Sequence, residues 1–236
     1  MWKGKKKALT FSFDDGVKQD LRLIEIFNRY GLKGTFNINS ALLGKEGVVF
    51  HFGRTLCHNK VTKEQLATAY RGHEIAVHTL THPRLTTLSE EEIVKEVEED
   101  RKALEEISGQ KVVGMAYPGG EINHDERVVE IISRRTNVRY ARTIISTNDL
   151  SVAREDRYRY HPTCHILQSN MDDLVDEFLS YEGEEDKLLY LWGHAYELDA
   201  GDVNANGMDW EKFEKLCQKL SGRADIYYAT NAEILF

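Results

Sequence analysis

The sequence ALTFSFDDGVKQDLRLIEIFNRYGLKGTFNI, residues 8–38, has the pattern of a strand, a helix and a second strand. Ala8–Phe13 is a short apolar run that is typical of a buried strand, and Gly34–Ile38 is a second such run. Apolar side chains recur at helical spacing through Asp20–Tyr30, and Gly31 marks the end of that helix. A helix between two strands makes the strands parallel, because the chain must cross a face of the sheet before the second strand begins.

The same alternation of strands and helices continues along the chain. Later strands are predicted at Glu74–Val77, Val112–Ala116, Val138–Ala141, Leu188–Trp192 and Ile226–Tyr228. Later helices are predicted at 62–72, 89–109, 128–133, 170–181 and 210–220. Repeated units of this kind predict an α/β protein with parallel strands and helices outside them. No low-complexity linker interrupts the pattern, so we expect residues 1–236 to form a single barrel-like domain.

The composition limits the partners that the protein can have. Lys and Arg total 31 against 39 Asp and Glu, which gives a formal net charge of -8 and a pI near 5.6. This balance argues against a broad phosphate-binding face, so we predict no nucleic-acid partner. No apolar run approaches the roughly 20 residues that are needed to span a bilayer, so we predict no membrane insertion.

The cysteines and the start of the chain bear on the compartment. The chain has three cysteines, Cys57, Cys164 and Cys217. An odd number without a CxxC spacing argues against a disulfide framework and favours reduced thiols. Cys164 lies between two histidines, but a small buried thiol is the simpler interpretation. No apolar segment follows the basic run Lys3–Lys7, so we expect a cytoplasmic protein, although a chain that has lost a secretory leader would look the same.

Two carboxylates, Asp14 and Asp15, follow the first strand directly. In barrels of parallel strands the chemistry sits on the loops after the strand C-termini. Adjacent residues point in different directions, so one carboxylate can bind a cation while the other faces a bound water. A purely structural Asp-Asp-Gly turn is the alternative interpretation.

The segment HTLTH, residues 78–82, follows another predicted strand at the same end of the barrel. The imidazoles of His78 and His82 can converge on one ion if the segment turns helically. Two nitrogens and the Asp15 carboxylate leave coordination positions open for water, which is typical of a catalytic metal site. We predict one divalent ion, Zn²⁺ by ligand type, with Co²⁺ or Ni²⁺ suited to the same ligands.

These two segments resemble the motifs of the polysaccharide deacetylases, the NodB-homology or carbohydrate esterase family 4 proteins. TFSFDDG, residues 10–16, resembles the first motif of that family, and GHEIAVHTLTHP, residues 72–83, resembles the second. The resemblance runs from about Leu9 to the closing segment Ile226–Leu235 and is diffuse after Gly120. It implies a single distorted (β/α) barrel with about seven or eight parallel strands and outer helices. It also implies that the protein hydrolyses N-acetyl groups on amino sugars with a bound divalent ion.

The resemblance assigns a role to each residue of the two motifs. Asp14 corresponds to the general base, which takes a proton from the attacking water. Asp15, His78 and His82 correspond to the metal ligands. A divalent ion lowers the pKa of water and polarises the amide oxygen, so these roles are chemically consistent.

The sequence LYLWGH, residues 189–194, resembles the fifth motif of the family. The resemblance implies that His194 protonates the leaving amine, a step that amide hydrolysis needs because amide nitrogen is a poor leaving group. A histidine of the core is the alternative. Trp192 is a candidate for lining the acetyl pocket, and Tyr196 and Glu197 are weaker candidates for contacting the substrate.

The third and fourth motifs are only partly matched. YPGG, residues 117–120, resembles the end of the third motif, so Tyr117, Pro118 and Gly119 are candidates for the groove wall, where a backbone N–H can donate to an oxyanion. In the family an arginine that braces the catalytic Asp precedes this motif. It is missing here, and Arg142 is a possible substitute as well as a candidate substrate-binding residue. The Asp-Trp pair of the fourth motif is missing too, and Asn148–Leu150 resembles it faintly, which leaves open whether Asp149 orients His194.

Other functions remain open at this point. An amidase of the same fold could act on a cyclic amide or an N-formyl substrate, since the missing arginine and Asp-Trp pair separate the chain from typical deacetylases. A carbohydrate-binding domain that has lost catalysis is a second alternative, but Asp14, Asp15, His78 and His82 are all present. We therefore predict a hydrolase whose partner is an N-acetylated carbohydrate.

Other polar features receive structural interpretations. The charged helix 89–109 is interpreted as a solvated outer face. His51 and His58 flank the long loop after the second strand and border the predicted groove. His73 is expected to make a structural hydrogen bond.

Overall fold

The computed structural model describes residues 2–152 and 156–236. Its strands are β1 (Lys7–Asp14), β2 (Gly34–Ile38), β3 (Val48–His51), β4 (Arg54–Cys57), β5 (Glu74–Val77), β6 (Gly114–Ala116), β7 (Tyr140–Arg142), β8 (Cys164–His165), β9 (Lys187–Gly193) and β10 (Ile226–Tyr228). Its α-helices are α1 (Asp20–Tyr30), α2 (Lys63–Ala69), α3 (Glu90–Ser108), α4 (Glu126–Arg135), α5 (Met171–Ser180), α6 (Trp210–Leu220) and α7 (Asn231–Leu235).

Seven of these strands form one parallel sheet in the order β7-β6-β5-β2-β1-β9-β8, which curves into a half-barrel. β10 pairs with the first half of β1, and β2 pairs with the second half. Every residue of β1 is buried, as expected for a parallel strand that is covered on both faces. The predicted distorted (β/α) barrel is confirmed.

The segment that precedes β8 joins the two sides of the half-barrel. Tyr160 forms a parallel bridge with Arg142 at the end of β7. Three residues later, the backbone N–H of Thr163 donates to the carbonyl of Tyr190 in β9 at 2.8 Å. These bonds draw the end of β7 towards β9, so the carboxyl ends of the strands surround one common space.

A buried polar network fills the opposite end of the barrel. The Glu74 carboxylate accepts hydrogen bonds from the hydroxyls of Thr35 at 2.8 Å and Tyr140 at 2.9 Å. It also accepts the backbone N–H of Ala232 in the first turn of α7 at 2.9 Å. A buried carboxylate needs such partners, because an unpaired one would cost several kcal/mol. The network ties α7 to the sheet at the end away from the polar loop residues.

The structure adds elements that the sequence pattern did not predict. β3 and β4 form an antiparallel hairpin within the long loop after β2. The two-residue β8 and the five-residue α7 were also not predicted. β6 and β7 are three residues each, so β6 starts two residues later than expected and β7 includes Arg142. In residues 2–152 and 156–236 the structure has no helix that is both long and apolar enough to cross a bilayer.

Candidate active site

A cavity of about 570 Å³ opens at the carboxyl ends of the strands. Its walls come from the ends of β1, β5 and β9, from the β3–β4 hairpin and from the loops after β6 and β7. The polar lining residues are Asp14, Asp15, His51, His58, Lys60, His78, Thr81, His82, His194 and Glu197. The position agrees with the general location of chemistry in parallel barrels.

Asp15, His78 and His82 form a three-residue group that can hold a metal ion. Oδ1 of Asp15 lies 3.8 Å from Nε2 of His78 and 3.6 Å from Nε2 of His82. The Nδ1 atom of His78 lies 3.0 Å from the carbonyl oxygen of Ala116. Because a carbonyl only accepts, Nδ1 carries the proton and Nε2 keeps its lone pair for an ion.

The electrostatic state of these ligands also fits a metal. Burial lowers the pKa of His78 to about 4, so its imidazole is neutral at physiological pH. Burial on its own would raise the pKa of Asp15, but the His58 hydrogen bond and the Lys60 charge hold that pKa well below its usual range. One carboxylate and two imidazoles suit zinc or a similar divalent cation.

The segment from His78 to His82 reaches this geometry through a strained bend and not through the helical turn that we expected. Thr79 has φ 65° and His82 has φ 62°, both in the left-handed region. This region is unusual for a β-branched residue such as Thr79. The hydroxyl of Thr79 accepts the backbone N–H of His82 at 3.2 Å. The bend turns both imidazoles towards Asp15.

The segment after the β3–β4 hairpin brings His58 and Lys60 to Asp15, a contact that the sequence pattern did not predict. Nε2 of His58 lies 3.1 Å from Oδ2 of Asp15. Nζ of the buried Lys60 donates to the Asp15 backbone carbonyl at 2.7 Å. Asp15 has φ 80°, so the Lys60 bond fixes a backbone that is in a strained conformation.

Asp14 is held by a different set of partners. The guanidinium of Arg142 donates to Oδ2 of Asp14, and the amide of Asn37 donates to Oδ1 at 2.8 Å. Burial would raise the pKa of Asp14, but the charge and hydrogen bond of Arg142, together with His78 and His194, outweigh burial and lower the pKa. Arg142 is 0% exposed, and its guanidinium lies 4.6 Å from the centre of the Trp192 ring. This is the contact expected if Arg142 replaces the missing family arginine, and it keeps Arg142 away from the cavity surface.

His194 is paired with Glu197, three residues later in the loop after β9. Its Nδ1 lies 3.2 Å from Oε1 of Glu197, and its Nε2 lies 4.0 Å from Oδ2 of Asp15. Burial would lower the pKa of His194, but the charge and hydrogen bond of Glu197, together with the charges of Asp15 and Asp14, outweigh burial and raise the pKa to about 9. His194 is therefore protonated at neutral pH and carries a proton on the edge that faces the metal ligands.

Glu197 is 3% exposed and lies among three histidines. Besides His194, the Nε2 atoms of His165 at 3.2 Å and His51 at 3.6 Å face its carboxylate. Burial would raise the pKa of Glu197, but His165 and His194 hold that pKa well below its usual range. From the sequence we predicted only a weaker candidate for substrate contact at Glu197, and we did not predict its pairing with His194.

His165, His194 and Glu197 form a second group that is compact enough for a metal ion. However, Nδ1 of His165 accepts the backbone N–H of Leu167 at 3.1 Å. The proton of a neutral His165 must then sit on Nε2, which faces Glu197. We therefore assign this group to hydrogen bonding and not to metal binding.

The remaining predicted site residues are dispersed. Gly119 and Trp192 line the cavity, and Pro118 lines a small adjoining cavity. Tyr117 is 1% exposed, and its hydroxyl donates to the Tyr158 carbonyl at 2.8 Å, so its ring lies behind the wall. Asp149 is exposed and accepts from Ser151, so the carboxylate beside His194 is that of Glu197.

Cys164 and its neighbouring histidines agree with the structural interpretation. The thiol is buried, and burial raises its pKa to about 12. His161 contacts the hydroxyl of Thr143 at 2.6 Å, while His165 faces Glu197 as described. A thiol with such a high pKa is a poor metal ligand and a poor nucleophile at neutral pH.

Comparisons with known proteins agree with this architecture. The profile of the family described as "Polysaccharide deacetylase" matches residues 2–140. Chitin deacetylase 1 of Cryptococcus neoformans var. grubii is 40% identical over 72 residues, which are 30% of this chain and 15% of that protein. The chain spans less than half the length of the curated relatives that it matches, with 40% as the larger share.

Solved structures share the fold over nearly the whole chain. A structure described as T48 deacetylase with substrate has a TM-score of 0.59 and 18% identity, and the match covers 99% of this chain and 92% of that one. A structure of BA3943 from Bacillus anthracis, described as a CE4 family pseudoenzyme, has a TM-score of 0.53 and 18% identity, with 98% and 66% covered. The fold thus occurs with and without activity, so the fold alone does not distinguish an enzyme from a pseudoenzyme and the residues of the site are needed.

Proposed function

Because the chain belongs to the polysaccharide deacetylase family, we propose that it is a metal-dependent hydrolase that removes N-acetyl groups from amino-sugar oligosaccharides or polysaccharides. One observation carries the proposal. A single cavity holds a possible metal triad, a carboxylate braced by Arg142 and a histidine paired with Glu197. A binding domain that had lost catalysis would have no need for all three.

Asp15, His78 and His82 would hold the ion, with Zn²⁺ as the leading candidate and Co²⁺ or Ni²⁺ as alternatives. When bound there, a divalent ion would lower the pKa of water and polarise the amide carbonyl. His58 and Lys60 support Asp15 from the side of the hairpin. The His58 contact orients the carboxylate, and the Lys60 charge helps to keep it ionised before an ion arrives.

Asp14 acts as the general base in this proposal. Arg142 and Asn37 occupy defined positions on its two oxygens, so the carboxylate cannot rotate freely. The lowered pKa of Asp14 keeps it ionised, and hence able to accept a proton, at neutral pH. Activity should fall as the pH drops through that pKa, because a protonated Asp14 cannot act as a base.

His194 acts as the general acid. Its proton on Nε2 faces the cavity, and Glu197 stabilises the charged imidazolium from the other side. Departure of an amine requires a proton, because an amide anion is a very poor leaving group. The base lies at the end of β1 and the acid at the end of β9. Asp14 can therefore take a proton from water while His194 gives a proton to the leaving amine.

Release of acetate from N-acetylglucosamine oligomers tests the proposal directly. We expect the zinc-loaded protein to release acetate and to leave free amines on the sugar. The Asp14→Asn variant should not do so and serves as the control for contaminating activity. Formate release from N-formyl substrates, or opening of a cyclic amide, in the absence of acetate release would contradict the proposed substrate.

Removal of His82 is expected to abolish tight metal binding. Purified wild-type protein should contain about one divalent ion per chain, and His82→Ala loses one of only three protein ligands. Elemental analysis after dialysis measures the content. His161→Ala is the matched control, since His161 is a histidine that contacts Thr143 instead of the triad. Stoichiometric metal in His82→Ala would show that the ion lies elsewhere.

Removal of the Glu197 charge is expected to move the alkaline limb of the pH–rate profile to lower pH. The charge raises the pKa of His194, so the acid form persists below that pKa and is lost as the pH rises through it. In Glu197→Gln burial still lowers the pKa, but the opposing attraction is gone. Profiles of kcat/KM against pH compare this variant with Asp149→Asn, an exposed carboxylate. An alkaline limb at unchanged pH would show that Glu197 does not set the pKa of the general acid.

A further inference from the structure

We propose that Glu96 and Asp100 of α3 are positioning residues that hold the strained His78–His82 bend in its metal-binding shape. The proposal rests on the metal site of the proposed function. The sequence pattern predicted that the charged side chains of α3 face solvent, and the proposal gives two of them a role in the site. The two residues lie four positions apart, so they occupy the same face of α3.

Asp100 fixes the start of the bend. Its carboxylate is 0% exposed, and its two oxygens accept different backbone donors. Oδ1 accepts the N–H of Ser40 at 2.7 Å, and Oδ2 accepts the N–H of His78 at 3.2 Å, which the Ile38 carbonyl also accepts at 3.0 Å. One side chain therefore joins the loop after β2 to the first metal-ligating histidine.

Glu96 fixes the middle of the bend. Oε2 accepts the backbone N–H of Thr81 at 2.9 Å, and Oε1 accepts the hydroxyl of the same residue at 2.8 Å. The backbone carbonyl of Glu96 accepts the N–H of Leu80 at 2.9 Å. Three bonds to two consecutive residues fix the backbone just before His82.

The bend needs these bonds because its own conformation is unfavourable. The left-handed φ values of Thr79 and His82 cost about 1–3 kcal/mol each and persist only when the surroundings enforce them. Asn39 assists by donating from its side-chain amide to the Thr79 carbonyl at 2.9 Å. Without the α3 carboxylates the bend would relax, and an ion would have to reorder it on binding.

Outer partners of metal ligands commonly contribute about 10–100-fold to metal affinity. Glu96 and Asp100 act one step further out, on the backbone between the two histidines. The expected signature is therefore weaker metal binding in a protein that still folds. Exposed α3 carboxylates such as Glu99 should have no such effect, although they carry the same charge.

The test measures zinc affinity, by competition with a chromophoric chelator, for the wild type, Glu96→Ala and Glu99→Ala. We expect Glu96→Ala to bind zinc about 10–100-fold more weakly and Glu99→Ala to match the wild type. The visible spectrum of the Co²⁺-loaded proteins reports the ligand geometry and should change in Glu96→Ala only. The melting temperature of metal-free Glu96→Ala should stay within about 4 °C of the wild type.

Two outcomes would overturn the role of α3. One is a zinc Kd for Glu96→Ala equal to that of Glu99→Ala, and the other is an affinity loss accompanied by an unchanged Co²⁺ spectrum. If Glu96→Ala does not fold, Glu96→Gln keeps one acceptor oxygen, and we expect a smaller loss of affinity in the same direction. A wild-type protein that binds no zinc would overturn the metal site itself, and that result is seen before any variant is compared.

Discussion

Replacing Asp14 by Asn is expected to lower kcat by about 10²–10⁴-fold while metal affinity stays close to that of the wild type. The variant keeps Asp15, His78 and His82, so the metal ligands are complete. It loses the group that accepts the proton of the attacking water. Added metal should therefore not restore activity, and the acidic limb of the pH–rate profile should disappear.

The adjacent Asp15→Asn variant should fail in a different way. Asp15 is the carboxylate of the proposed triad, so its loss should weaken metal binding, and excess metal should recover part of the activity. Measuring kcat across a metal titration for both variants separates the two roles. If Asp14→Asn loses metal and Asp15→Asn retains it, the base and the ligand have been exchanged in our assignment.

The interpretation of Asp14→Asn needs a check on stability. Arg142 is fully buried against Asp14, and removing one partner of a buried ion pair can cost about 3–5 kcal/mol. Asn keeps the shape and one acceptor oxygen, so part of the Arg142 contact survives. Asp149→Asn is the matched control, because Asp149 is exposed and its carboxylate accepts from Ser151 instead of Arg142. Thermal melts of both variants show whether lost activity is simply lost protein.

The sequence predicted the parts of this molecule that depend on local pattern. The strand–helix alternation and the DDG and HTLTH segments are periodic or short, so their interpretation needs no knowledge of distant contacts. Parallel topology then implies that residues after neighbouring strands share one edge. The fold class is confirmed, and the structure brings Asp14, Asp15, His78 and His82 into one cavity. The single-domain organisation and the cytoplasmic location stay predictions.

The family resemblance suggested Arg142 as a partner of Asp14, but the residue pattern alone could not predict the partners of these residues. Arg142 lies 128 positions from Asp14, and His58 lies 43 positions from Asp15. Such contacts are created by the tertiary fold, and no spacing in one sequence encodes them. The residue pattern of the β3–β4 hairpin, which precedes His58, is also too short to be distinguished from the pattern of a loop. The His-x-x-Glu spacing of His194 and Glu197 was the one local signal that could have been used.

The α3 helix is a second case in which the sequence pattern does not reveal the partners of a side chain. Its capping box at Ser89 and its end at Gly109 follow the predicted boundaries. Its charge pattern suggested a solvated face, yet Asp100 is buried and Glu96 bonds to Thr81. A charged helix that packs over an active-site loop has the same composition as one that faces only water. The difference lies in what is adjacent in space.

His194→Ala is the second variant for which we expect a large loss, about 10²–10⁴-fold in kcat on N-acetyl sugars. Metal content and fold should be unchanged, because His194 is not a ligand and Glu197 keeps its contact with His165. A general acid matters only when the leaving group needs a proton. An acetate ester of an acidic phenol has a good leaving group, so His194→Ala should hydrolyse such an ester at a rate near that of the wild type.

Comparing the ester with the amide distinguishes the general acid from the general base, because water must still be deprotonated when the leaving group is good. Asp14→Asn should therefore be slow on both substrates, whereas His194→Ala should be slow on the amide alone. Equal losses on amide and ester in His194→Ala would mean that His194 shapes the site without donating a proton. A variant that fails to fold, measured by its thermal melt, would instead favour a histidine of the core.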